Sequence, residues 1–196
     1  MIKNRILTSV FCLSAVSSFA VYANETTTAV NSWWWTGNGD FLTDTNWYQS
    51  GLAGTGNPSS NTGLNVDFGP LEDVSNSGTF ITPTGSAILS ADFTSTGILR
   101  MRTGIDTELS INNNAIYSLS SAQIGLLPTN NWLTPTDGTA TVNLDNGHIS
   151  GPVVVGVNST GVLNSTAVSS VTGNLTLAQQ AASHGTLNIS TASDFQ

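Results

Sequence analysis

Thiols and charge are both scarce in this chain: one cysteine, four basic residues and 8% charged residues in a length of 196. Cys12 falls in the N-terminal apolar segment discussed below, so the rest of the chain offers no disulfide, thiolate nucleophile or Cys-ligated metal site. The basic residues are Lys3, Arg5, Arg100 and Arg102, against twelve acidic ones, for a net charge of −8. So acidic a surface repels phosphate backbones and anionic lipid, which argues against nucleic-acid and membrane-surface partners. There is no G-x-S-x-G nucleophile elbow and no phosphate-cradling G-x-x-x-x-G-K loop, and His148 and His184 are the only imidazoles. The composition is filled instead by Ser, Thr, Asn and 19 Gly. Asn and Gly tolerate positive φ and Thr and Val favour a pleated backbone, a mixture suited to short strands joined by many turns.

The first 23 residues differ from the rest. Lys3 and Arg5 precede a mostly apolar run over 6–19 (ILTSVFCLSAVSSF), and Val21-Tyr22-Ala23 places small residues at −3 and −1. This pattern reads as a secretory signal peptide cleaved after Ala23, with Ala20 as the alternative. The apolar run is broken by serines and is shorter than the ~20 residues a membrane span needs. Cleavage leaves Arg100 and Arg102 against all twelve acids, a net charge of −10, and no integral membrane segment is expected after it.

Beyond residue 31, short alternating runs bounded by Gly, Asn, Pro or Asp predict strands at 64–68, 78–81, 87–89, 97–101, 108–111, 139–144, 152–157, 161–164, 173–177 and 185–189. No segment sustains a 3.6-residue apolar period; the best helical candidate, 175–183, lies inside a strand-like pattern. Internal similarity then separates a sandwich from a stacked array. Residues 159–164 (STGVLN) and 183–188 (SHGTLN) share S-x-G-x-L-N, offset by 24 residues. Each follows a second apolar run, 153–156 in one case and 175–178 in the other. Weaker copies lie at 137–143 and 95–99. A unit of twenty-odd residues with two or three short strands suits one coil of a parallel β-helix, in which each coil buries its inward Val, Leu or Ile on the next. The segment 122–137, with two prolines and Trp132, is expected to form a loop leaving the stack.

Candidate chemistry is sparse. Asp106 and Glu108 lie near Arg100 and Arg102, the carboxylate-and-base mixture of polysaccharide-cleaving enzymes. The alternative is an exposed ion-pair patch on neighbouring strands. No lysine remains beyond Lys3 to act as a base, and the acidic chain repels an acidic polymer, so no catalytic residues are assigned and no cofactor is expected. Gly37-Asn38-Gly39-Asp40 and Asp44 could form a calcium turn, but a single copy reads better as turn formers, so Asp40 and Asp44 are only weak metal candidates. N-x-S/T triplets at Asn158, Asn164, Asn174 and Asn188, among others, indicate a solvated surface. Trp33, Trp34, Trp35 and Trp47 could stack on sugar rings, but a strand alternates its faces, so three consecutive Trp cannot line one platform. They read better as an N-terminal cap.

A signal peptide, then Trp35-Thr36-Gly37-Asn38-Gly39-Asp40 and Asp44-Thr45-Asn46-Trp47, then the Gly-x-Leu-Asn units ending at Asn164 and Asn188, in an acidic chain rich in Ser, Thr and Asn: together these resemble the passenger region of a bacterial autotransporter, a type V secreted surface protein. The resemblance implies a right-handed parallel β-helix at, or released from, the cell surface, serving adhesion, aggregation or biofilm formation. Its partners would be host-surface or matrix molecules, or further copies of itself. Such proteins end in a β-barrel translocator, whereas this chain stops at Gln196 directly after a repeat, as a truncated passenger would. The organisation expected is therefore a signal peptide over 1–23, a Trp-rich capping region over 24–63 and a β-helical repeat region over 64–196. The function expected is that of an exported, non-enzymatic, adhesin-like protein in the periplasm, on the surface or secreted; the alternative is a secreted carbohydrate-binding or polysaccharide-degrading β protein.

Overall fold

The computed structural model describes residues 32–49, 56–72, 80–127, 138–190 and 194–195. Residues 1–23, read above as a signal peptide, residues 24–31 and most of the proline-rich stretch lie outside them. The chain opens with β1 (Ser32–Trp35), β2 (Gly39–Asp40) and β3 (Trp47–Tyr48). Next, β4 (Asn65–Phe68) leads through a small hairpin, β5 (Leu71–Glu72) and β6 (Phe80–Ile81), to β7 (Ala87–Leu89) and β8 (Phe93–Thr94). Four triplets follow. They are β9 (Ile98–Arg102), β10 (Thr107–Asn112) and β11 (Ile116–Ser118); β12 (Ser121–Leu126), β13 (Ala140–Asp145) and β14 (His148–Ser150); β15 (Val153–Val155), β16 (Thr160–Thr166) and β17 (Ser170–Thr172); and β18 (Leu175–Leu177), β19 (His184–Ile189) and β20 (Asp194–Phe195). Two short 3-10 turns, Asp44–Asn46 and Pro58–Ser60, complete the regular structure described.

The protein is all-β, and its three main sheets are built from parallel neighbours. The first runs β18-β15-β12-β9-β4-β1-β3, the second β19-β16-β13-β10-β7-β2 and the third β20-β17-β14-β11-β8. From β7 onward the chain visits the sheets in rotation, so each strand pairs with the one three places later. Within the three main sheets the exception is β3, which runs antiparallel to β1 with Trp35 opposite Trp47.

Alternation along each strand sends one set of side chains to a common core, and the register stacks like on like. Val66, Leu99, Ala122 and Val153 form one column of the first sheet, and Phe68, Met101, Ile124 and Val155 another. The second sheet contributes Leu109, Val142 and Leu163, the third Phe93, Tyr117, Ile149 and Val171. All are buried, and a single cluster runs from Trp33 to Val171. Full burial of each aliphatic side chain contributes about 1.5–3 kcal/mol.

Each of the ten predicted runs contains a strand. The loop expected at 122–137 is corrected in its first part: 122–126 belong to β12, because Ala122 and Ile124 occupy inward positions on either side of Gln123. The copy at 95–99 leads into β9 of the first sheet, whereas 159–164 and 183–188 lead into β16 and β19 of the second. There Gly161 pairs with Gly185, Leu163 with Leu187 and Asn164 with Asn188.

The corner after the first sheet is held by positive-φ residues. Gly125 (φ 83°), Gly156 (φ 75°) and Ala178 (φ 54°) directly follow the aligned residues Ile124, Val155 and Leu177 of that sheet. A Cβ on Gly156 would lie 2.6 Å from the backbone nitrogen of Gly185, too close for any side chain. Gly156→Ala is therefore expected to cost more than about 2 kcal/mol, since strain and a backbone clash add. Ala178→Gly, at the equivalent corner, should be neutral or gain up to ~1 kcal/mol by relieving left-handed strain. Urea unfolding of the two variants checks the opposite signs, and an equal loss in both would contradict this account of the corner.

Candidate functional site

The Trp-rich stretch folds as the alternation requires. Trp33 and Trp35 point into the core and Trp34 to the opposite face, and all three are buried together with Trp47. Trp35 stacks on Phe68 at 5.8 Å and meets the edge of Trp47 at 5.1 Å, and its Nε1 donates to the Gly85 carbonyl at 2.9 Å. Trp47 Nε1 donates to the Phe41 carbonyl, and Phe41 continues the aromatic contacts to Phe93 and Tyr117 in the third sheet. Burial, reinforced by the charge of Asp67, holds the Tyr117 phenol well above its ordinary pKa, so it stays neutral. None of the four indoles presents a ring face to solvent on which a sugar could stack.

Asp40 acts as a turn former, whereas Asp44 ties its turn to the Asn57 side chain. Asp40 Oδ1 accepts the Leu42 N–H at 2.8 Å, and Asp44 Oδ1 accepts Asn57 Nδ2 at 2.7 Å. Asp106 accepts the Thr139 N–H at 2.9 Å and Glu108 accepts Asn143 Nδ2 at 2.6 Å, so neither carboxylate meets Arg100 or Arg102 in the patch considered from the sequence. Both arginines bridge Asp67 instead. Arg100 Nη2 lies 2.7 Å from Asp67 Oδ2, and Arg102 Nε lies 3.2 Å from Asp67 Oδ1. This corrects the expected exposed patch: Asp67 is fully buried and Arg100 and Arg102 nearly so. The reason is register, which sets Asp67 of β4 opposite Arg100 of β9 on the outward side of the first sheet. Arg102 also lies over the Trp34 ring, 5.8 Å from its centroid. His148 Nδ1 pairs with Ser170 Oγ at 2.8 Å in the third sheet, whereas His184 is exposed on β19, so the two imidazoles serve different sheets.

The outward side of the second sheet is different in kind. Ser110, Asn143, Asn164 and Asn188 are aligned across β10, β13, β16 and β19. Asn188 Nδ2 donates to Asn164 Oδ1 at 2.8 Å, and Asn164 Nδ2 to Asn143 Oδ1 at 2.8 Å. Beside this amide ladder, Asp145 accepts Thr166 Oγ1 at 3.1 Å. These outward side chains, with Ser190, line an open groove of about 450 Å3. A primary amide has two N–H donors and two acceptor lone pairs, so each ladder member keeps hydrogen-bonding capacity towards the groove.

The S-x-G-x-L-N pattern already fixed the Asn164–Asn188 step, since its terminal Asn recurs at the pairing offset. Asn143 ends the weaker copy at 137–143, whose residues 140–143 pair in register with 161–164, whereas Asp67 carried no comparable signal. No protein-family model, curated protein or solved structure matches the chain.

Proposed function

We propose that the chain is an exported, non-enzymatic β-helical protein of the autotransporter-passenger kind, which makes contacts through the amide-lined side of its second sheet. The β-helix reading rests on the rotation of the chain through three parallel sheets and on inward columns of like residues, each coil supplying the surface on which the next is buried. The single observation that carries the contact reading is the Asn143–Asn164–Asn188 ladder over an open groove. A row of side-chain amides offering donors and acceptors suits the hydroxyls of a glycan on a cell or matrix surface. The same groove favours the second reading, a secreted carbohydrate-binding protein, with the amides rather than the indoles as the contact.

Export and contact are tested together. Expressed from its own first residue in a Gram-negative host, the chain should be recovered outside the cytoplasm with Asn24 at its N-terminus, read by mass spectrometry. Beads carrying it should adhere to glycan-bearing cells, and Asn164→Lys should lower adhesion about fivefold, the effect of losing ~1 kcal/mol, with circular dichroism unchanged. An unprocessed cytoplasmic chain sinks the export reading, and equal adhesion by the variant sinks the contact reading.

A further inference from the structure

On the outward side of the second sheet, register builds one column across five strands: Ile88, Ser110, Asn143, Asn164 and Asn188, with Asp40 beside Ile88 at its start. Its hydrogen bonds all run one way. Asn188 donates to Asn164 and Asn164 to Asn143, while Asn143 Nδ2 donates to Glu108 Oε1 at 2.6 Å and to Ser110 Oγ at 3.4 Å. A carboxylate only accepts, so Glu108 turns the Asn143 amino group towards itself and the Asn143 carbonyl towards Asn164, which hands the same orientation on to Asn188. Asn164 keeps one N–H and one carbonyl lone pair beyond those its neighbours use. Ile88, at the other end of the column, is an exposed apolar side chain. Exposed carboxylates flank the amides, Glu108 two residues before Ser110 on β10 and Asp145 two residues after Asn143 on β13. Arg100 and Arg102, which could pair with an acidic sugar, are held at Asp67 on the first sheet.

Building on the contact reading above, we propose that this column takes an uncharged, extended glycan of the β-1,4-linked class, lying across the strands with one sugar over each rung. Neighbouring strands lie about 4.7–4.9 Å apart, so the amides repeat at that interval. A β-1,4 chain is joined equatorially at both ends of each ring, runs nearly straight and advances by one ring length per sugar, close to the strand interval. Its successive rings are turned over, so opposite ring edges meet successive rungs. An amide with both a donor and an acceptor serves either edge. An α-1,4 chain has an axial bond at each linkage, so it curls away from a straight column. Ile88 supplies an apolar contact for the C–H face of a ring, which a small ion would not use. Glu108 and Asp145, one on each side of the amides, repel the carboxylates of a uronic-acid polymer and so favour a neutral one.

Isothermal titration calorimetry of the full chain at low salt, with cellobiose, cellotetraose, maltotetraose and tetragalacturonate as probes, tests this ligand class. Cellotetraose should bind at least about tenfold more tightly than cellobiose, because each further rung adds contacts, and at least about tenfold more tightly than either other tetramer. Asp145→Asn keeps an acceptor for Thr166 and removes one flanking charge, so it should raise the affinity for tetragalacturonate at least about threefold relative to that for cellotetraose. Equal affinity for the two cello-oligosaccharides, for the β- and α-linked tetramers or for the neutral and acidic tetramers would overturn the proposal. So would binding of none of the probes, or an unchanged ratio in Asp145→Asn. Any of these results, with adhesion still lost in Asn164→Lys, leaves the contact reading standing without this ligand, whereas equal adhesion by Asn164→Lys removes both.

Discussion

Trp35→Ala is expected to lower the unfolding free energy by about 4 kcal/mol. The indole is 1% exposed and lies between Phe68 and Trp47, so its removal forfeits transfer energy and leaves a cavity that two rings cannot both close. Truncating a buried Trp costs about 3–5 kcal/mol on those grounds. The Gly85 carbonyl also loses the Nε1–H donor that ties β1 to the turn before β7, roughly 1 kcal/mol more where water cannot replace it. Against a total stability of about 5–15 kcal/mol, the variant would be marginal. The loss should also spread, because Trp47, Phe41 and Tyr117 continue the ring contacts from the first sheet to the third. Urea denaturation followed by circular dichroism measures it, with Trp35→Phe as the milder comparison. A loss below about 1 kcal/mol would show that the rings do not close this end of the core.

Much of the architecture was legible because alternation survives wherever a strand is long enough to show it. β10 sets Leu109 and Ile111, and β13 sets Ala140, Val142 and Leu144, inward between polar residues, and residues 159–164 against 183–188 gave the stacking offset directly. The third sheet was not legible. β8, β11, β14 and β17 are two or three residues long and each turns one residue inward, namely Phe93, Tyr117, Ile149 and Val171. One apolar residue among Ser, Asn and Thr has no period. Those positions are apolar only because strands three places away in sequence order lie above and below them, which local pattern cannot report. The Trp stretch was legible in its alternation, since Trp34 does face away from Trp33 and Trp35. What could not be read was that the outward side at that point is buried as well, over Asp67, Arg100 and Arg102.

That buried cluster governs the second large expectation: Asp67→Asn should cost about 3 kcal/mol. Asn keeps the volume, so the change isolates the carboxylate charge shared by Arg100 and Arg102. Removing one member of a buried ion pair typically costs 3–5 kcal/mol, because desolvated charge loses its compensation. The cost should persist in 1 M salt, since screening acts on exposed pairs and Asp67 has no exposed surface. Replacing Asp67, Arg100 and Arg102 together by apolar residues of similar volume should recover most of the stability, as buried ion clusters can exchange with hydrophobic packing at little net cost. Arg100 also donates to Ser32 Oγ at 2.8 Å, so the cluster ties β9 and β4 to β1 and thereby seats the Trp-bearing strand. Unfolding of Asp67→Asn should accordingly begin at β1, seen as loss of Trp burial by fluorescence before loss of β circular dichroism. A cost that vanished in high salt would mean that the carboxylate is solvated, and simultaneous transitions would mean that the cluster does not hold β1 in place.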